Sequence, residues 1–197
     1  MKTDTAFIPL TAPSGVKKIL LHVCCAPCSG AILEELISSG IEPFLFFCNP
    51  NVYPEEEYLK RKNEVTRFAE AKKLQYFDPP YDPSSWNQSI LGLEGEPERG
   101  KRCTVCFEFR LKETARFAAE KNLSVFASTL GISRWKDMDQ VNEAGKKAEA
   151  LYSKLTYWPH NWREQEGQKR MVEVVKRENF YRQNYCGCLY SIRKKSE

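Results

Sequence analysis

Seven of the eight cysteines fall into three tight groups, and no short local motif can hold all of them. Cys24, Cys25 and Cys28 lie in HVCCAPCSG, Cys103 and Cys106 in KRCTVCFEFR, and Cys186 and Cys188 in NYCGCLY. Intervals of 75 and 80 residues separate the groups. Cysteines two or three positions apart place two thiolates on one metal or cluster. Groups this distant can share a site only if a folded domain gathers them at one end, and that is the expected arrangement. A closed zinc site and a cubane iron–sulfur cluster each take four thiolates. Four from seven leaves three, enough for a second metal with an open position, although two zincs sharing a thiolate fit the same count. Cys48 stands apart in the apolar run FLFFC and reads as a small core hydrophobe.

The rest of the chain bounds the compartment and the class. No apolar run reaches the roughly 20 residues that span a bilayer, so no membrane association is expected. Residues 1–18 lack the apolar segment of a secretory signal. A cytoplasmic location follows, and in a reducing compartment cysteines mark metal or redox chemistry more often than disulfides. The 197 residues with 42% hydrophobic content suffice for a core, read as a single domain over residues 1–197. Thirty Lys and Arg against 26 Asp and Glu leave +4, mildly basic, which permits a phosphate-bearing partner without marking a dedicated nucleic-acid binder.

Hydrophobic periodicity predicts a doubly wound α/β fold with a mostly parallel sheet. Residues 18–25 (KILLHVCC) read as a buried strand, 31–39 as a helix closed by Gly40, and 43–48 as a second strand. The first cysteine group then lies between a strand's carboxyl end and a helix's amino end. That is where open α/β sheets bind ligands and where the helix dipole favours anions. Further on, 55–74 reads as a charged amphipathic helix and 77–100, rich in proline and glycine, as a long loop. The second cysteine pair opens a helix to about residue 121. Strands at 124–129 and 155–158 and helices at 137–152 and 164–178 complete the pattern.

Five segments taken together resemble one family. HVCCAPC after the first strand, CNPNVYPEEEY after the second, RCxxC at a helix start, STL after the third strand and YRQNYCGC near the end are similar to the cobalamin-independent epoxyqueuosine reductases. The resemblance implies a fold like the adenine-nucleotide α-hydrolase (HUP) group. It also implies conversion of epoxyqueuosine to queuosine at the tRNA anticodon wobble position, the last step of queuosine biosynthesis, with a [4Fe–4S] cluster beside an additional iron or other divalent metal. Cys24, Cys25, Cys103, Cys106, Cys186 and Cys188 match the family's six thiol ligands. Cys28 matches a position where some members carry an Asp ligand to the extra metal. The segment STLGISRWKD departs from the Leu-Leu-x-Ser-Pro type of many members.

The chemistry so implied is a reduction. Removing an epoxide oxygen to leave an alkene consumes two electrons and two protons and releases water. No GxGxxG fingerprint for a nicotinamide or flavin is present, so a cluster fed by an external one-electron donor is the expected source. A zinc module binding RNA or protein, and a tRNA thiolation enzyme of similar fold, are the rival readings; the latter needs an SGGxDS-type phosphate loop where this chain has CCAPCSG. Candidate proton donors are Tyr53, Glu57 and Tyr185, with Tyr58 also near the second strand's end. Candidate contacts to tRNA are Arg99, Lys101, Arg102, Arg134, Trp135, Lys136, Arg182, Arg193 and Lys194, with Trp162 beside Arg163 as a second stacking tryptophan. His22, inside the first strand, reads as a hydrogen-bonded core histidine.

Overall fold

The computed structural model describes residues 9–192. Strands β1 (Lys18–His22), β2 (Glu42–Phe46), β3 (Tyr76–Phe77), β4 (Val125–Ser128) and β5 (Thr156–Tyr157) form one sheet in the order β3-β2-β1-β4-β5. Every pairing is parallel, so the sheet is wholly rather than mostly parallel. β1 is central, flanked by β2 and β4, and its Ile19, Leu20 and Leu21 are fully buried. An unbroken apolar run is what a strand covered on both faces requires.

The helices are α1 (Ala26–Ser38), α2 (Glu55–Ala71), α3 (Pro83–Ser89), α4 (Lys101–Glu120), α5 (Met138–Glu149) and α6 (Gly167–Arg177). α1 packs against α2 and α6, and α4 packs against α5. Right-handed crossovers place these two groups on opposite faces of the sheet. The α1–α6 joint depends on Gly30, where a Cβ would fall 2.7 Å from Val174 and 2.9 Å from Phe180. Successive strands are added on one side of β1 and then on the other, and the crevice at the carboxyl ends of β1 and β4 is the switch point where such sheets bind ligands.

Several expected boundaries move. β1 ends at His22 and α1 begins at Ala26, five residues earlier than the apolar spacing suggests. Pro27 is the cause, because proline fits the first helical turn and its missing N–H costs nothing there. Cys28 therefore sits inside the first turn of α1. The stretch 77–100 is not one loop: it pairs the edge strand β3 and holds α3, capped by the Asp82 carboxylate, which accepts from the Ser84 and Ser85 N–H groups. Those two elements are too short for periodicity to register. The final strand shrinks to Thr156–Tyr157, and Trp162 is core, its indole N–H donating to the Ser128 carbonyl at 2.9 Å. Trp162 is thereby removed from the stacking candidates.

His22 is the core histidine expected. Its Nδ1 lies 3.0 Å from the Ser128 hydroxyl and its Nε2 3.1 Å from the Cys48 carbonyl, tying β1 to the ends of both neighbours. Burial, with Arg110 nearby, holds its pKa down to about 3. An unfolded chain takes up that proton near pH 6.5, so folding stability should drop as pH falls from there. The expected slope is about 1.4 kcal/mol per pH unit down to the folded pKa. Urea midpoints measured between about pH 7 and 5 should fall less steeply for His22→Gln than for the parent; equal slopes would show that His22 is protonated in the fold.

Candidate metal centre

The three cysteine groups arrive from three elements at the carboxyl edge of the sheet. Cys25, in extended backbone, is the N-cap residue of α1, and Cys28 lies in that helix's first turn. Cys103 and Cys106 lie in the first two turns of α4. Cys186 and Cys188 flank Gly187 in the segment after α6. Helix amino ends carry unpaired N–H groups and the positive end of the dipole, which suit thiolates. Cys24, Cys25, Cys28, Cys106 and Cys188 are buried, whereas Cys103 and Cys186 are partly exposed and form the open side.

The sulfurs of Cys24, Cys25 and Cys28 lie within 4.8 Å of one another, with Cys24 and Cys25 at 3.8 Å. Four thiolates at about 2.3 Å around a tetrahedral ion are about 3.8 Å apart, so this spacing fits a single metal. Thiol hydrogen bonds from Cys25 and Cys28 hold Cys24 well below the ordinary thiol range, and their own pKa values rise in return. Thr129, just past β4, receives a hydrogen bond from the Cys24 N–H at 3.3 Å, and its hydroxyl donates to the Cys24 sulfur at 3.5 Å. The Gln183 amide donates to the Cys25 sulfur at 2.9 Å.

Cys186 joins this triad to the remaining thiols. It lines a small recess with Cys24, Cys25, Arg61, Arg110 and Lys136. It also lines a cavity of about 220 Å³ with Cys28, Cys103 and Cys188. Cys106 packs beside Cys188 with Trp86 and Ile90. Burial pushes the Cys103 thiol up and the Cys106 thiol up to about 11. Three buried atoms in the recess lining, Asn51 Oδ1, Arg110 Nε and Gln183 Oε1, have no hydrogen-bond partner among the described residues. Orphaned polar atoms beside clustered thiols fit an inorganic group with charged or polar periphery.

Other sequence candidates land in different places. Lys136 is partly buried and lines both spaces; burial opposes its charge, but the sulfurs of Cys186, Cys24, Cys28 and Cys25 outweigh that and raise its pKa. It faces thiols rather than a surface for RNA. Arg102 is also buried, donating to the carbonyls of Leu93, Glu94 and Glu96 with its guanidinium over the Tyr190 ring. This removes it from any RNA-facing surface. Arg99 spends Nε and Nη2 on the carbonyls of Trp135 and Arg134, while its own N–H donates to the Cys103 sulfur at 3.2 Å. Lys101, Arg134, Trp135 and Arg182 are exposed. Arg193 and Lys194 lie outside the described residues.

Of the proton-donor candidates, Tyr185 lines the larger cavity and its hydroxyl donates to the Tyr53 carbonyl. The Tyr53 side chain is half exposed and lines neither thiol space. Glu57 is buried in an ion pair with Arg61 at 2.8 Å and accepts from the Tyr181 hydroxyl at 2.7 Å. This pair is a latch that the sequence did not disclose, since Glu and Arg four apart on a helix normally read as a solvated face. Arg61 Nη1 donates to the Cys186 carbonyl at 2.9 Å and Nη2 to that of Tyr185 at 3.2 Å. Gly187, at φ +134°, leaves room for it, because a Cβ there would stand 2.8 Å from Nη1. Arg61→Met should lower stability by about 3–5 kcal/mol, because it strands Glu57 as a buried lone charge and frees the third cysteine pair. Thermal unfolding together with metal content checks this, and a metal-replete variant of parental stability would contradict it.

No helix among the described residues is long and apolar enough to cross a membrane. Among solved structures the chain is similar in fold to the U34-tRNA thiolase NcsA from Methanococcus maripaludis with its [4Fe–4S] cluster. The TM-score is 0.59 at 14% identity, over 92% of this chain and 64% of that one. The expected fold class stands. A family model described as Epoxyqueuosine reductase QueH matches residues 19–194. Curated proteins of that name include those of Acinetobacter baylyi, 50% identical over 94% of this chain and 85% of the relative, and Histophilus somni, 49% identical over 97% and 79%. The Thermotoga maritima protein is 31% identical over 91% and 92%. The chain belongs to the epoxyqueuosine reductase QueH family.

Proposed function

We propose that the chain reduces epoxyqueuosine in tRNA to queuosine, taking electrons one at a time from an external donor. The observation that carries this is the convergence of all three cysteine groups on one crevice at the sheet's switch point. The seven thiols would hold a [4Fe–4S] cluster and one further ion. Cys103 and Cys106 serve among the cluster's ligands, and Cys28 serves the ion. When bound, such a cluster passes single electrons and an adjacent open-site ion polarises oxygen as a Lewis acid.

The chain's own residues supply the rest. Replacing the C–O bonds of the epoxide by an alkene and water takes two electrons and two protons. Lys136 holds a proton at Nζ beside the sulfurs, where its charge also offsets theirs. The Tyr185 phenol, pushed up to about 12 by burial and by Glu57, stays protonated at neutral pH and lines the same cavity. Gln183 and Thr129 orient the Cys25 and Cys24 sulfurs. Arg61 fixes the backbone of the third pair. Where a thiolase would cradle a phosphate after β1, this chain has CCAPCSG, which favours reduction over thiolation.

Metal analysis tests this directly. Protein prepared without oxygen should carry about four irons and four sulfides per chain, brown in colour, with up to about one further divalent ion. A colourless protein holding only zinc would overturn the reading.

A further inference from the structure

A second groove, of about 600 Å³, runs from the thiol cavity along α6. It shares Cys28, Ser133, Trp135 and Gln183 with that cavity, so the two adjoin. No Asp or Glu lines it, while Arg134, Lys176 and Arg182 do. All three are exposed, and none forms an ion pair with a described residue. Neighbouring surface cations behave otherwise: Arg177 pairs with Glu34 and Glu178, and Lys169 with Glu166. Apolar side chains share the lining, Met171, Val172 and Phe180 among them, with Val172 47% exposed, and the Trp135 indole is 60% exposed with the Arg134 guanidinium 5.1 Å from its ring centre.

We propose that this groove seats the unpaired RNA strand flanking the modified base and leads that base to the thiols. The proposal rests on the reading of the chain as a tRNA-modifying reductase. Uncompensated cations track phosphates, while an aromatic ring and apolar side chains take the faces of unstacked bases. A paired duplex hides those faces, so the combination fits a single strand. An acidic partner protein would also find the cations, but the exposed indole beside apolar side chains is what unstacked bases use, and the test separates the two.

Binding of a fluorescent, unmodified anticodon stem–loop RNA to cluster-loaded protein, followed across salt concentration, is the experiment. Lys176→Ala/Arg182→Ala should weaken binding about ten-fold and flatten the log–log salt slope by about 1.4, two single-strand phosphate contacts. Trp135→Ala should weaken it about ten-fold with the slope unchanged, as loss of one stacked base does. Cluster absorbance per chain reports folding of each variant. Lys146→Ala/Lys147→Ala on α5 removes the same charge elsewhere and should leave affinity at the parental value. Parental affinity and slope in the groove variants would overturn the proposal, as would an equal loss in the α5 variant. It also fails if the groove variants bind RNA normally yet accept electrons more slowly from an acidic donor protein than from dithionite. Parental turnover of epoxyqueuosine tRNA is followed alongside: if it is present while the groove variants bind normally, the groove alone is wrong, and if it is absent the reductase reading is wrong.

Discussion

Cys103→Ala and Cys106→Ala should each bleach the cluster absorption and reduce turnover to background. Both residues lie in the opening turns of α4, and the backbone of that helix fixes where their sulfurs point. Cys106 is buried with Trp86, Ile90 and Cys188, and Cys188 belongs to the third ligand pair, so its sulfur is not spare to replace the one lost. Cys103 is partly exposed, but the Arg99 N–H at 3.2 Å holds its sulfur in place. Cys48→Ala is the matched control. Its thiol is buried in the core and burial pushes it up to about 12, which leaves it protonated and a poor ligand. That variant should keep the cluster and lose about 1–2 kcal/mol of stability through a small cavity. Loss of iron in the Cys48 variant, or its retention in the Cys103 or Cys106 variant, would reassign the ligands.

The second large effect is expected at Cys28. This residue occupies the first turn of α1, next to the Cys24 and Cys25 sulfurs and at the mouth of the RNA-facing groove. Cys28→Ala should keep the cluster colour, lose the additional ion and slow turnover by roughly 100-fold or more, since even residues that only support a metal ligand cost that much. Cys28→Asp should retain the ion and appreciable turnover, because a carboxylate is an acceptable ligand for iron and a negative side chain suits a helix's first turn. Iron counting on both variants, beside the parent, separates the two cases. Bleaching of the cluster in Cys28→Ala would place Cys28 among the cluster's own ligands.

The sheet and the cysteine convergence were readable because each has a strong linear signature. ILL within KILLH and FLF within EPFLF are apolar runs, and ligand pairs two or three apart mark themselves. The edge strand β3 and helix α3 were not readable, because two and seven residues are too few to display a period. Charge was the least legible property. Arg61, Arg102, Arg110 and Lys136 look like surface in sequence, yet three of them are buried and the fourth faces thiols. Their partners are backbone carbonyls, Asn49 and sulfurs 60 or more positions away in several cases, as with Arg110 to Asn49 and Arg61 to Cys186. No local pattern encodes such pairings. Of the basic candidates that remained exposed, Arg134 and Arg182 line the groove, whereas Lys101 does not.

The most direct measurement is a single turnover without oxygen. Protein loaded with its metals is mixed, in excess and with dithionite still present as the electron donor, with epoxyqueuosine-containing tRNA, and the nucleosides are resolved by mass. The expected result is a product lighter by one oxygen, two electrons being drawn from dithionite for each one formed, with none formed by Cys103→Ala. Unchanged nucleoside with fully metallated, reduced protein would contradict the assignment.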